Sequence, residues 1–309
     1  MGKVAFLFSG QGSQYPGMMK EFYENNEESK AVFDTADAVL GRAISQLCFS
    51  GSQEELNLTE NTQPCVLTCD VAALRALEEK GVKPDVVAGF SLGEYAALVA
   101  AKVLPFREAV RLIQIRANAM QEAVPVGKGG MIAILGKTAE EVDALCEEVD
   151  GFVKGANYNC PGQIVVSGDT AALENLKELG AQRKIKMIPL SSSAPFHSER
   201  MKPAAEILER EFASLSFERP SVPVVMNVDA QQESEPEIIK SKLVQQAMSP
   251  VLWEKTLRKM VEMGVDTFIE IGPGKTLTGF VKKTCKGCKA LRVENEGTLT
   301  ETLQALEEK

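Results

Sequence analysis

Gly89-Phe90-Ser91-Leu92-Gly93 follows an apolar run at 85–90 and leads at once into a helix-like run at 92–101. A Gly-x-Ser-x-Gly stretch in that position predicts a strand, a sharp turn and a helix, with the serine hydroxyl pushed into the open at the turn. Gly89 and Gly93 allow the close backbone approach such a turn needs. The bland alternative is an ordinary helix with Ser91 as its N-cap. Strand-like runs at 4–8, 85–90, 130–135, 162–167, 184–190, 222–227 and 267–271 alternate with amphipathic stretches, which predicts an α/β fold. Among those stretches, 62–80 stops at Gly81, and 105–124 opens with Pro105 at a first-turn position.

Composition changes at Pro125-Val126-Gly127-Lys128-Gly129-Gly130, which reads as a linker. Beyond it the order is strand (131–135), helix (138–149), strand (152–156), strand (163–167), helix (170–180) and strand (184–190). That βαββαβ succession is the ferredoxin-like arrangement. The predicted architecture is a large α/β-hydrolase-like domain with a parallel sheet, residues 1–126 and 196–309. A small ferredoxin-like α+β domain, 127–195, is inserted into it. A cleft between two such parts is a usual place for a substrate.

A net charge of −9 argues against nucleic acid or an anionic membrane surface as the main partner, because both require a basic footprint. No apolar run approaches the roughly 18–20 residues of a spanning helix. The N-terminal run Val4-Ala5-Phe6-Leu7-Phe8 is too short for a signal segment and enters a Gly-rich turn, so a first buried strand of a cytoplasmic protein is expected. The seven cysteines are an odd number, which fits reduced thiols better than a disulfide framework. Cys285-Lys286-Gly287-Cys288 has the spacing of a dithiol or half a metal clip, but no second pair or histidine cluster accompanies it.

The chain has one histidine, His197, so any Ser-His chemistry must use it with Ser91. A serine hydroxyl is a poor nucleophile until a base takes its proton, and imidazole titrates near the range a general base needs. His197 lies in Ala194-Pro195-Phe196-His197-Ser198, a loop at the expected domain junction. Wound as a helix, 105–124 puts Phe106, Ala109, Val110, Leu112, Ile113, Ala117, Met120 and Val124 on one face. Arg116 falls within that apolar stripe. A guanidinium there pairs with a substrate anion, pairs with a carboxylate of the protein, or snorkels to the edge. Ser9-Gly10-Gln11-Gly12-Ser13-Gln14, after the first strand, lacks the dinucleotide fingerprint and the Walker lysine, so nucleotide binding is not expected. The turn could instead bring the Gln11 N–H near a reacting carbonyl.

These elements and their order resemble the malonyl-CoA:acyl-carrier-protein transacylase family of type II fatty-acid synthesis. The resemblance rests on Phe8-Ser9-Gly10-Gln11-Gly12-Ser13-Gln14, Thr62-Gln63-Pro64, Gly89-Phe90-Ser91-Leu92-Gly93-Glu94-Tyr95, Ala156-Asn157-Tyr158-Asn159 and Pro195-Phe196-His197-Ser198. It continues through Gln245-Gln246-Ala247-Met248-Ser249-Pro250-Val251 and Glu270-Ile271-Gly272-Pro273-Gly274, nearly end to end. It implies Ser91 as the acylated nucleophile, His197 as its base, and Arg116 as the holder of the malonyl carboxylate. It further implies backbone amides of Gln11 and Leu92 as an oxyanion hole, and Gln246 as the partner that orients His197. Gln63, Asn157 and Asn159 match family positions without an assigned role. The implied reaction is ping-pong transfer of malonyl from malonyl-CoA to the phosphopantetheine thiol of holo acyl carrier protein, with no metal or bound cofactor and a monomer as the expected state. A serine esterase or thioesterase, a non-catalytic carrier or CoA module, and a polyketide-pathway acyltransferase are the rival readings. Because the carrier is usually acidic, docking would need a basic patch, and Arg183, Lys184 and Lys186 or Lys282, Lys283, Lys286 and Lys289 are the candidates, unless they are ordinary solvated faces.

Overall fold

The computed structural model describes residues 2–192 and 194–308. Its strands are β1 (Lys3–Phe8), β2 (Val86–Gly89), β3 (Gly129–Leu135), β4 (Val153–Cys160), β5 (Gln163–Asp169), β6 (Lys186–Pro189), β7 (Val224–Val225), β8 (Gln232–Glu233), β9 (Val265–Ile271) and β10 (Lys289–Val293). They form a six-stranded sheet in the order β10-β9-β1-β2-β7-β8 and a four-stranded sheet in the order β4-β5-β3-β6. In the first sheet every pairing is parallel except the β7–β8 ribbon. In the second every pairing is antiparallel.

β1 is the pivot of the parallel sheet. It reads Val-Ala-Phe-Leu-Phe without polar alternation because both its faces are covered, and residues 5–8 are wholly buried. The chain leaves β1 toward β2 on one side and returns through β9 on the other. The crevice outside the carboxyl ends of parallel strands, where the connections part in opposite directions, is where such sheets hold ligands. Here that crevice is framed by the residues after Phe8, Gly89 and Ile271.

The long helix Thr59–Glu79 is buried along most of its length and packs under the same end of the sheet. It starts before the expected residue 62 and carries Pro64 within its second turn, where the Glu60 carbonyl that Pro64 cannot serve accepts instead from Gln114 Nε2 at 3.0 Å. Helix Phe106–Glu122 buries Ala109, Val110, Leu112, Ile113, Ala117 and Met120, the stripe read from periodicity, with Pro105 as its N-cap.

The small sheet is joined to the large part by an apolar cluster. Ala119, Met120 and Val124 from the end of that helix meet Met131, Ala133, Val165, Ala194 and Phe196. β4 also reaches across: the Tyr158 N–H donates to the Val251 carbonyl and the Val251 N–H to that of Ala156, at 2.9 and 2.8 Å. The expected linker is shorter than its composition suggests, since Gly129-Gly130 already pair in β3.

Three strands depart from the sequence reading. The run 222–227 pairs only at Val224–Val225, because the chain turns at Met226 and the Asn227 N–H goes to the Glu94 carboxylate instead of to a neighbouring strand. Neither β8 nor β10 follows from the sequence pattern: β8 is a polar two-residue ribbon, and β10 is a half-exposed edge strand, Lys-Ala-Leu-Arg-Val, too polar to stand out as an apolar run.

Candidate active site

The elbow forms as its residues require. Ser91 has φ 55°, in the left-handed region that costs a non-glycine residue about 1–3 kcal/mol and persists only where the surroundings over-determine it. A Cβ on Gly89 would lie 1.9 Å from the Gly93 carbonyl, and one on Gly93 2.5 Å from the Phe8 carbonyl oxygen. The helix Gly93–Ala100 therefore starts against the ends of β1 and β2. Asn227 locks the turn from the far side: its Oδ1 accepts the Ser91 N–H at 2.8 Å and its Nδ2 donates to the Gly89 carbonyl at 2.8 Å.

His197 also has a positive φ, 57°, in the loop after the second sheet. Its Nε2 is 2.7 Å from Ser91 Oγ and its Nδ1 is 2.9 Å from the main-chain carbonyl of Gln246. A carbonyl oxygen only accepts, so the proton sits on Nδ1 and Nε2 is left free to receive the serine proton. Burial and the Arg116 charge pull the imidazole down to about 4, which keeps it neutral across the neutral pH range.

Arg116 is 1% exposed. Among the described residues its hydrogen bonds all go to neutral oxygens, Gln63 Oε1 at 2.6 Å, Ser91 Oγ at 3.0 Å and Gln246 Oε1 at 2.9 Å, and its buried Nε has no partner. The Tyr95 ring lies 5.9 Å from the guanidinium carbon. Desolvation pulls the cation down from its ordinary value and Tyr95 and Glu94 oppose it. A buried cation with an unspent donor beside a serine hydroxyl is chemically suited to receive a carboxylate. Among the described residues Arg116 has no carboxylate partner, the alternative that the helix pattern allowed.

Gln246 contacts the histidine through its backbone rather than its carboxamide. The side chain turns the other way, donating from Nε2 to the Ser91 carbonyl at 2.7 Å and to Glu94 Oε2 at 2.6 Å. Glu94 is wholly buried, and its second oxygen accepts the Asn227 N–H. Burial pushes its carboxyl up to about 8 against those donors and Arg116. Glu94 stood inside the serine motif and Asn227 at the end of a strand-like run. Neither carried a local signal beyond being polar in an apolar setting.

A cavity of about 380 Å³ opens onto these groups, lined by Gln11, Gln63, Ser91, Arg116, Asn157 and His197 among others. The N–H groups of Gln11 and Leu92 form no hydrogen bond among the described residues, so both remain free donors. An adjoining pocket of about 170 Å³ shares Gln11, Phe90 and Asn157 and extends to Asn159, Leu277 and Phe280. The Oδ1 atoms of Asn157 and Asn159, both on β4, are buried and have no partner among the described residues. The CxxC thiols are free, Cys285 buried and Cys288 partly so.

A base-paired serine with free backbone donors and a buried cation suits acyl transfer of an anionic acyl group. Comparison with known proteins agrees. The family model described as "Acyl transferase domain" matches residues 5–303. A malonyl CoA-acyl carrier protein transacylase of Bacillus subtilis is 47% identical over all of this chain and 98% of its own length. One from Staphylococcus aureus is 41% identical over 95% and 96%. The crystal structure of the Clostridium perfringens protein of the same name superposes with a TM-score of 0.95 at 46% identity, covering 99% of this chain and 98% of that one. A structure described as a type II PKS acyl-carrier protein in complex with its malonyl-transacylase aligns at TM-score 0.95 and 39% identity, over 98% and 99%.

Proposed function

The chain belongs to the acyl transferase family, and we propose that it moves a malonyl group from malonyl-CoA to the phosphopantetheine thiol of an acyl carrier protein. The observation that carries this reading is that one hydroxyl, Ser91 Oγ, touches both a neutral imidazole and an unpaired guanidinium within one cavity.

Ser91 attacks the thioester carbonyl as its proton passes to His197 Nε2. The tetrahedral oxyanion falls to the free N–H groups of Gln11 and Leu92, donors of the kind worth on the order of 10²–10³ in rate each. His197 returns the proton to the departing CoA thiol, leaving a malonyl-serine ester. The carrier thiol then repeats the sequence in reverse, with His197 as base and then acid. No step requires a metal or bound cofactor. Arg116 pairs with the malonyl carboxylate in the place its bonds to Gln63 and Gln246 now hold. An acetyl group would leave the buried cation without that pairing.

The main-chain carbonyl of Gln246 holds the histidine tautomer, where hydrolases use a carboxylate. The chain divides into a large part, 1–126 and 196–309, and an inserted ferredoxin-like part, 127–195: the small sheet's order of second, third, first and fourth strand, all antiparallel, is what that arrangement requires. The large part is then hydrolase-like in placing its serine on a strand–helix elbow. We read the protein as a cytoplasmic monomer; among the described residues no helix is long and apolar enough to cross a membrane.

For the carrier, Lys282 and Lys283 fit best. They lie at the end of helix Thr276–Thr284, whose Leu277 and Phe280 line the second pocket, and neither forms an ion pair among the described residues. Arg183 is instead forked onto Glu148, and Lys289 donates to the Ala305 and Glu308 carbonyls. The PKS relative favours one second reading, in which the carrier belongs to a polyketide pathway.

Intact mass after mixing with malonyl-CoA tests the central claim. A malonyl increment is expected on the protein and absent from Ser91→Ala; an increment that survives in the variant removes Ser91 as nucleophile. Arg116→Ala is expected to lower kcat/KM for malonyl-CoA about 10²-fold or more while changing acetyl transfer much less. Equal losses for both acyl groups would take the carboxylate role from Arg116.

A further inference from the structure

Glu94 has no part in the transfer steps above, yet it is joined to them by an unbroken hydrogen-bonded path. Its Oε2 accepts from Gln246 Nε2 at 2.6 Å, and Gln246 Oε1 accepts from Arg116 Nη2 at 2.9 Å. The carboxylate thus acts electrostatically on a guanidinium that, among the described residues, bonds only neutral oxygens, with one carboxamide between the two charges. It lies in the first turn of helix Gly93–Ala100, wholly buried, where the helix N-terminus favours an anion. The other titratable groups acting on it are Tyr95 from its own helix, whose hydroxyl is buried and unpartnered, and Asp229 from the turn after β7. Asp229 is already neutralised by Lys242 at 2.8 Å.

A malonyl carboxylate seated on Arg116 adds a second anion to a buried cluster that holds one cation. Two buried carboxylates sharing one cation cannot both stay ionised cheaply, and the one without direct contact to the cation is the one to take a proton. Resting on the malonyl reading of the site, we propose that in mildly alkaline solution Glu94 is its exchangeable counter-charge: ionised while Arg116 is unpaired, and protonated from solvent when a malonyl carboxylate pairs with Arg116. Charge in the pocket then stays balanced in both halves of the cycle. An acyl group lacking a carboxylate leaves Glu94 as it was, so Glu94 is a positioning residue that makes malonyl loading proton-linked and acetyl loading proton-neutral.

Burial sets the working range, because it holds the free carboxyl up to about 8. Below about pH 6 Glu94 is already protonated before substrate arrives and no uptake follows; above about pH 8 it must gain a proton on loading. Malonyl loading is therefore disfavoured progressively as pH rises past about 8, whereas acetyl loading is not.

The experiment is proton release or uptake in weakly buffered solution with an indicator dye, normalised to acyl-enzyme counted by intact mass, with malonyl-CoA and acetyl-CoA run in parallel. The leaving thiol is the same in both, so their difference isolates the carboxylate. About half a proton or more taken up per malonyl-enzyme is expected near pH 8–9, and close to none near pH 6. Glu94→Gln should reduce the malonyl–acetyl difference to zero at every pH. A zero difference in the unaltered protein, with the malonyl increment present on Ser91, overturns the proposal. An undiminished difference in a labelled Glu94→Gln protein overturns the assignment to Glu94. A missing increment would count against the acyl-transfer reading instead, so the two failures are distinguishable. If Glu94→Gln does not fold, the pH dependence in the unaltered protein still decides.

Discussion

Ser91 and His197 sit 2.7 Å apart at the tips of their side chains and share a backbone oddity, a left-handed φ at a non-glycine residue, but different forces hold them. Ser91 is fixed by main chain against main chain. Gly89, Gly93 and Phe8 are in backbone contact and Asn227 ties down both ends of the turn. His197 stands on a loop anchored by its apolar neighbours Ala194 and Phe196 in the cluster that joins the small sheet to the large part, and its ring is aimed by one carbonyl. The serine is therefore built into the core of the fold, whereas the histidine is brought to it. A change near Ser91 should register as stability, and a change at His197 as chemistry.

The largest effect expected under that contrast is at the base. His197→Asn, chosen because asparagine tolerates the left-handed backbone, should lower kcat/KM by on the order of 10³. It should leave the denaturant midpoint nearly in place; a large midpoint shift would show that the loop is structural after all. Gly89→Ala should do the reverse. Its new Cβ meets backbone atoms that have no flexible end to move, so a loss of about 3 kcal/mol or more is expected in urea unfolding. Near-normal stability would mean the elbow is looser than the contacts imply.

The smallest effect is a displacement of the pH profile. With the imidazole pulled down to about 4, its neutral, base-competent form persists well below the ordinary histidine range. The acid limb of kcat/KM for malonyl-CoA should therefore lie near 4 rather than 6.5. Removing the neighbouring cation in Arg116→Met should move that limb upward. A limb near 6.5 in the unaltered protein would mean that the ring is wetter than its 4% exposure indicates.

The elbow was legible because its cause is local. Two glycines around a serine, an apolar run before and a helical run after all lie within about fifteen residues, and the structure returns that strand–turn–helix in place. Helix Phe106–Glu122 was legible for the same reason, with a 3.6-residue period that put Arg116 inside the apolar stripe. The solitary histidine needed no geometry to be singled out. β10 and the truncation at Val224–Val225 were not legible, because an edge strand is defined by its neighbour and a strand end by what competes for its N–H.

Gln246 marks the boundary most clearly. Resemblance pointed to the residue and to its histidine, but which of its atoms faces the ring depends on where helix Pro236–Met248 ends relative to two other elements. The carboxamide is committed to Arg116, Ser91 and Glu94, residues 130, 155 and 152 positions away. Short-range steric and periodic rules act between chain neighbours, so residue order alone suffices to state them. Pairing of buried charges and donors acts through space at about 3 Å. It could be known only once the strands had brought distant parts of the chain to the same end of one sheet.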